Sequence, residues 1–469
     1  MTSNDGQASL VNSFPARVRR AFDRADSAMV LSAHACASER SEGDAEFQRH
    51  AADHRVADIL LDQRADAVVV AAALLTPPHR RGDLTAREIT SLFGDEVGNL
   101  VVRASVEPLS AIRGAGHPTV DPRRWLRSMS ADIRTIVLRV GLRLGAVEML
   151  AEGAEDNRGD TDQKDVAQET LNLYVPLADR MGMGALRTRL EDACFRLLQP
   201  TIHAEMVKSI EPIREADQIC LSLLEDGVAQ LLDERGIAAT VQGRAKGLYS
   251  IYSKMRRLDS SLEEVMDRVG LRVIVPSVEA CYEVLGLLHK RFRPVPGTFD
   301  DYIGFPKANG YQSLHTCVYP VPDISAKPVE FQIRTEAMHR EAEYGVAAHW
   351  LYKDQARAEA ENERQLERLR RLLPPDEDPL GHAEFIERLH RQVDDDRLVV
   401  FLGKKRAIRL PAGATVGDLV RYLGSDDDGE IRVEVNGRAH PPQYPLRDGD
   451  TVDVGLRDPR LLSPRGQPG

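Results

Sequence analysis

The chain has 469 residues, 42% of them hydrophobic and 29% charged, with a formal net charge of −11 and an isoelectric point near 5.7. Length alone predicts roughly two to four domains. The acidic balance excludes broad electrostatic coating of nucleic acid, and no apolar run approaches the roughly 20 residues a membrane helix needs. The opening MTSNDGQASLVNSF lacks the charged and apolar regions of a signal peptide. Cys36, Cys194, Cys220, Cys281 and Cys317 are scattered and lack metal-ligand spacing, as expected of reduced thiols in the cytoplasm.

Residues 1 to about 200 read as helical, with helical periodicity over Val56–Leu75, Asp132–Leu150 and Val166–Pro200 and a Gly/Pro-containing loop over Ser110–Pro122. One long helix is expected over about 203–240, with a polar exit at Glu234-Arg235-Gly236. Residues 240–350 change character: the β-branched runs Leu271–Val275, His315–Val318 and Val329–Ile333 alternate with helical segments such as Glu279–Arg291, which predicts an α/β or α+β domain. Residues 353–392 suit an exposed charged connector. Residues 397–455 predict a β-grasp module: a hairpin around a turn at Gly403–Arg406, a short helix capped by Thr415, a strand running into an Asn436-Gly437 turn, and a closing strand. A loose Pro/Arg/Gly-rich tail follows.

The segment Gln242–Arg257 is a cationic island in an acidic chain. It carries Arg244, Lys246, Lys254, Arg256 and Arg257 and no acidic residue. Leu248, Ile251, Tyr252 and Met255 fall at helical spacing, which places Lys246, Ser250 and Lys254 together on the opposite face as a row of phosphate-sized donors. Strand alternation in VEFQIRT turns Glu330, Gln332 and Arg334 to one side and Val329, Phe331 and Ile333 to the core. Asp267 stands just before the run Val269–Val275, which Arg272 interrupts; a charge inside a buried strand needs a partner or a task. For these two residues taken singly, an end cap and an ion pair are the simpler readings. The loop between the strands carries Lys307, Asn309, Tyr311, Gln312, Ser313 and His315, a flat ring among edge donors that suits a purine. Cations for polyphosphate, two carboxylates for Mg²⁺ and a ring for a second nucleotide make up the parts of a phosphoryl-transfer site. Neither a Walker A sequence nor a kinase Gly-rich loop is present.

GRAKGLYSIYSKM, MDRVGLRVIV, FDDYIGFPKANGYQSLHT and VEFQIRTEAMHREAEYGVAAHW occur in one order over about 240–353, and this stretch resembles the synthetase domain of the RelA/SpoT proteins. The resemblance implies a (p)ppGpp synthetase that moves pyrophosphate from ATP to the 3′-hydroxyl of GDP or GTP and releases AMP. It implies that Arg244 and Arg272 sandwich adenine, that Lys246, Ser250 and Lys254 hold the ATP phosphates, and that Asp267 and Glu330 ligate Mg²⁺. Glu330 would also serve as general base. Tyr311 would stack on guanine with Lys307, Asn309 and His315 around the acceptor, and Gln332 and Arg334 would support that shell. His339 and His349 fall in matching segments, with packing an equal reading for either. Thr298-Phe299-Asp300-Asp301 stands at the motif that separates two branches of the family, and its acidic third position sides with the synthetase-only branch.

DVAQETLNLYVPLADRMGMGALRTRLEDACFRLLQP resembles the end of the family's metal-dependent HD-type hydrolase domain. Thr76-Pro77 stands where that domain has a His-Asp pair, and Gly141-Leu142-Arg143-Leu144-Gly145 where it has an Asp-Arg-Leu-His-type segment. His54 and His79 read as lone surface histidines. These departures imply a helical domain without hydrolase activity. The last module resembles the TGS domain of long members, which contacts the end of uncharged tRNA in ribosome-associated proteins. Here Tyr422–Asp428 has no His and is acidic, and the sequence ends at Gly469 ahead of further domains, so ribosome and tRNA sensing are not expected. The expected organisation is an all-α HD-hydrolase-like domain (1–200), an α/β nucleotidyltransferase-like synthetase domain (201–353), a charged linker (354–394), a TGS-like β-grasp domain (395–458) and a tail (459–469). An acceptor other than a guanine nucleotide (an adenine nucleotide or tRNA) and a catalytically silent nucleotide sensor are the alternative readings.

Overall fold

The computed structural model describes residues 14–39, 54–105, 122–129, 132–153, 160–258, 262, 269–295, 298–307, 309–319, 328–351, 362–367, 370, 398–402, 406–410, 414–423, 432–446 and 450–455. The chain divides into two compact units, Met1–Leu389 and His390–Gly469.

The first unit begins with helices α1 (14–21), α2 (Arg24–Ser38), α3 (54–62), α4 (Ala67–Arg81), α5 (Ala86–Ser105), α6 (Pro122–Met129), α7 (Ile133–Ala151), α8 (Asp160–Glu169), α9 (Val175–Arg180) and α10 (Gly184–Leu198), with a π-turn at Thr170–Tyr174. Their starts follow local chemistry. Asp23, Asp66 and Asp132 each accept a first-turn backbone N–H of the helix that follows, at α2, α4 and α7. The apolar stretch 56–75 is two helices rather than one: Arg64 takes φ 58 and turns the chain before Asp66 caps α4. The stretch 166–200 is likewise interrupted, by the π-turn and by the Met181–Met183 turn. The loop expected over 110–122 falls largely outside the described residues.

Helix α11 (Pro200–Asp233) starts on a proline at its first turn and ends before Gly236 at φ 69. It leads into a mixed sheet of β1 (Thr240–Ala245), β2 (Val269–Val275), β3 (Arg293–Pro294), β4 (Asp300–Asp301), β5 (Leu314–Tyr319) and β6 (Val329–Thr335). The strand order is β1-β2-β6-β5-β3, with β4 on β5; β2 and β6 run parallel and the other pairs are antiparallel. Helix α12 (Leu248–Leu258) follows β1, α13 (Val278–Arg291) follows β2, and α14 (Glu336–Tyr344) follows β6. Period-two alternation divides this sheet into two unlike faces. Leu271, Val273, Val275, Phe331, Ile333, Leu314 and Val318 pack with Leu221, Leu224 and Val228 of α11 and Cys281, Val284 and Leu288 of α13. The other face carries the polar residues.

In the second unit, β7 (Leu398–Leu402) and β8 (Arg406–Leu410) form an antiparallel pair, followed by a helix Val416–Tyr422 and by β9 (Arg432–Val435), β10 (Arg438–Ala439) and β11 (Thr451–Gly455). The order is β10-β9-β11-β7-β8 with β11 parallel to β7, a β-grasp sheet. Asn436 and Gly437, at φ 53 and 77, make the two-residue turn expected there. Thr415 caps its helix reciprocally: its Oγ1 accepts from Asp418 N at 3.3 Å and donates to Asp418 Oδ2 at 2.8 Å. The acidic stretch after Leu423 and most of the connector lie outside the described residues.

Candidate active site

Sheet register assembles the polar face from residues far apart in sequence. One row runs Arg244, Gly270, Glu330 and Cys317 across β1, β2, β6 and β5. The next runs Gln242, Arg272, Gln332, His315 and Asp300. Glycine at 270 lets β2 lie close against Glu330, since a Cβ there would meet the Glu330 carbonyl oxygen at 2.9 Å.

Glu330 is the hub of these rows. Its Oε1 pairs with His315 Nδ1 at 3.2 Å, and its Oε2 accepts from Gln332 Nε2 at 3.1 Å. Gln332 Oε1 accepts from Arg244 Nη1 at 3.2 Å, so the row is tied from β1 to β5. His315 Nε2 lies 2.8 Å from the Tyr311 hydroxyl. Burial works against a charge on His315, but Tyr311 and Glu330 outweigh it and push the imidazole up to about 9. These neighbours favour the charged form of His315 beside Glu330. Burial would raise the Tyr311 phenol, yet His315 and Arg334 hold it below its ordinary value.

The loop before β5 is held from several sides. Asn309 Oδ1 accepts from Tyr311 N at 3.0 Å, and Asn309 Nδ2 donates to the Asp179 carbonyl of α9 at 3.1 Å. Lys307 Nζ lies 4.5 Å from the centre of the Tyr302 ring, which stands edge-on to both Tyr311 and His315. Gln312 Nε2 donates to the Ile303 carbonyl and Ser313 Oγ to the Ile333 carbonyl.

Arg272 and Arg334 share a partner on α14, Glu343. Glu343 Oε1, on α14, accepts from Arg272 Nη2 at 2.8 Å and from Arg334 Nη2 at 3.2 Å. Arg334 Nη2 also reaches His339 Nδ1 at 2.8 Å. The signal available was only the His339/Glu343 spacing of four on a helix that follows Arg334 directly. Arg272 is the ion pair that a charge inside a strand requires, and His339 is a packed neighbour of that pair.

The cationic segment divides between elements. Arg244 is on β1, Lys246 lies in the two-residue link, and Ser250 and Lys254 share α12 one turn apart. Lys246 is thus not part of the helix face expected of it; Gly247 at the helix entry packs against Thr188 and Asp192, where a Cβ would meet atoms at 2.9 and 3.0 Å. Asp192 Oδ1 of α10 accepts from Tyr249 N at 2.8 Å. The apolar side of α12 packs as its periodicity requires, with Ile251 buried against Phe195 and Met206. Asp267 and the side chain of His349 lie outside the described residues.

In the helical region Thr76 is fully buried and its hydroxyl donates to the Ala72 carbonyl at 2.7 Å. His54 is 2% exposed and not a surface residue: it packs edge-on to His34 and Phe14. His79 Nδ1 lies 2.8 Å from the Leu84 carbonyl oxygen. Gly141 and Gly145 let α7 approach α3, since a Cβ would meet Leu60 at 2.9 Å and Val56 at 2.6 Å. Arg143 pairs with Glu169 at 3.1 Å. No group of three metal-ligating side chains occurs among the described residues, nor is any helix there long and apolar enough to cross a membrane.

Residues 243–357 match the family model described as a region found in RelA/SpoT proteins, residues 28–184 an HD domain model, and residues 396–454 a ThiS family model. The chain is 33% identical over 420 residues to a GTP pyrophosphokinase of Myxococcus xanthus, covering 88% of this chain and 53% of that protein. It is 35% identical over 408 residues to a probable guanosine-3′,5′-bis(diphosphate) 3′-pyrophosphohydrolase of Synechocystis, covering 85% and 52%. The chain spans about half the length of these curated relatives. Among solved structures, small alarmone synthetase 1 of Bacillus subtilis bound to its product pppGpp is 28% identical, covering 36% of this chain and 93% of that one with a TM-score of 0.26. Residues 243–357 thus carry the region found in RelA/SpoT proteins, between an HD-like and a ThiS-like region, in an order the chain's motifs share with those proteins.

Proposed function

We propose that this protein is a (p)ppGpp synthetase that transfers the β,γ-pyrophosphoryl group of ATP to the 3′-hydroxyl of GDP or GTP and does not hydrolyse the product. The observation that carries this reading is the Glu330 carboxylate, held by His315 and Gln332 and linked through Gln332 to Arg244. Names of full-length relatives that span the same regions support it.

In this reading the acceptor 3′-oxygen forms a bond to the β-phosphorus while the bond from that phosphorus to the α,β-bridging oxygen breaks. AMP leaves with the bridging oxygen, and the hydroxyl proton passes to Glu330. His315, 3.2 Å from Glu330 Oε1, orients that carboxylate. Arg244 and Arg272 offer guanidinium faces to adenine, which suits Arg rather than Lys. Arg272 meets Glu343 through Nη2, at the edge of its guanidinium. Lys246, Ser250 and Lys254 neutralise the polyphosphate. Tyr311, with Lys307, Asn309 and His315, receives guanine, and Gln332 and Arg334 brace the shell. Glu330 and Asp267 are proposed to hold Mg²⁺. Carboxylate oxygens are the hard donors that Mg²⁺ takes. When bound, the ion supplies charge neutralisation on the polyphosphate.

Lack of hydrolysis is supported by Thr76-Pro77 and by the apolar contacts that Gly141 and Gly145 allow, with Leu60 and Val56 where larger side chains at 141 and 145 would stand. The test is product analysis with ATP, Mg²⁺ and a panel of acceptors (GDP, GTP, ADP, deacylated tRNA), followed by ppGpp with Mn²⁺. Equimolar AMP and 3′-pyrophosphorylated guanine nucleotide, with ppGpp left intact, is expected. Product on another acceptor, nucleotide binding without turnover, or release of pyrophosphate from ppGpp would each correct the corresponding part.

A further inference from the structure

We propose that Glu343 is a positioning residue for the donor nucleotide: it pins the edge of Arg272 so that the guanidinium plane stays presented to the donor base. The inference deepens the proposed function and rests on its placement of Arg272.

The argument is one of charge and freedom. Arg272 and Arg334 stand on adjacent strands of one face, with Arg334 opposite Ile274, two residues along β2. Their side chains are 12% and 1% exposed, so two cations are largely withdrawn from water next to each other. His339 supplies no compensation, because burial together with Arg334 and Arg272 pushes it down to about 4 and keeps it neutral. It offers Arg334 an acceptor lone pair only. Glu343 is the carboxylate that both guanidiniums reach, through the same oxygen. Burial opposes its charge, but Arg272 and Arg334 outweigh burial and hold it ionised. Without it, two buried guanidiniums face each other uncompensated, and the more exposed of them, Arg272, is the one free to swing toward water.

Glu343 can act as a fixed post because α14 is anchored at both ends. At its start, Thr335 Oγ1 accepts from Met338 N at 3.3 Å. At its end, Gly345 takes φ 56, packs on the Met181–Met183 turn of the helical region, and Val346 N donates to the Met181 carbonyl at 3.0 Å.

The test is Glu343→Gln in the full chain, with affinities measured for a non-hydrolysable ATP analogue, for GDP and for Mg²⁺-tripolyphosphate, a donor mimic without a base. The expected result is a loss of at least about tenfold for the ATP analogue, with GDP and tripolyphosphate within about twofold of wild type. Added to Arg272→Lys, Glu343→Gln should cost nothing further, because both act through one contact. Glu343→Asp, which keeps the charge on a shorter stem, should give an intermediate loss confined to ATP, and it carries the test if Glu343→Gln does not fold. Equal weakening of all three ligands, unchanged ATP affinity, or additivity with Arg272→Lys would overturn the proposal. Wild-type chain that binds the ATP analogue but transfers nothing to guanine nucleotides would contradict the proposed function and leave these binding comparisons to decide Glu343.

Discussion

The chemistry of the site is set at single residues. His315 is the clearest case, because its ring bridges Tyr311 and Glu330 and is pushed up to about 9 from an ordinary 6.5. A group whose folded value is raised contributes stability that is complete below 6.5 and is lost as pH climbs through about 9. The wild-type chain should therefore lose stability across that window, and His315→Gln should flatten the loss; denaturant melts at several pH values would show it. An unchanged slope in the variant would place the proton elsewhere. Other placements at this scale are readable because alternation in a strand dictates direction. Glu330, Gln332 and Arg334 were assigned to one face from spacing alone, and the register puts them there. Glu343 was not readable, since nothing in a helix's own sequence says which strand residues it will meet.

Elements succeed or fail by their joints. The cationic helix was legible from apolar spacing, and Ile251 is buried as that spacing requires. Its start was not legible: Lys246 belongs to a link whose conformation is fixed by Gly247 fitting against Thr188 and Asp192, a contact made by another helix. The helical periodicity of 56–75 does not show the break within it, a left-handed Arg64 ahead of the Asp66 cap. The joint between α14 and the helical region depends on Gly345, where φ is 56 and a Cβ would come within 2.6 Å of Gly182 C and 2.7 Å of Met183 N. Both obstacles are backbone and cannot rotate aside. Gly345→Ala should cost about 2–4 kcal/mol of stability and lower nucleotide affinity through α14. A thermal melt within a degree of wild type would show that the turn yields more readily than its packing implies.

At the scale of the molecule, the helical region and the sheet region of the first unit share structure. Phe195 and Asp192 of α10 complete the core and the start of α12, and Asp179 holds the loop of Asn309. Composition and periodicity located three regions, but they did not show that the first supplies parts to the second. A chain beginning at Pro200 should expose the Ile251 face of α12 and leave Tyr249 N uncapped, so it should aggregate or lose nucleotide binding; a compact, active fragment on size exclusion would contradict this. The most direct measurement of the whole account follows label from β-³²P-ATP with GDP and Mg²⁺, in wild type and in Glu330→Gln. Wild type should move label onto the guanine nucleotide with one AMP formed per transfer. Glu330→Gln should bind both nucleotides and slow transfer by on the order of 10²–10³. Transfer by the variant at the wild-type rate would contradict the account.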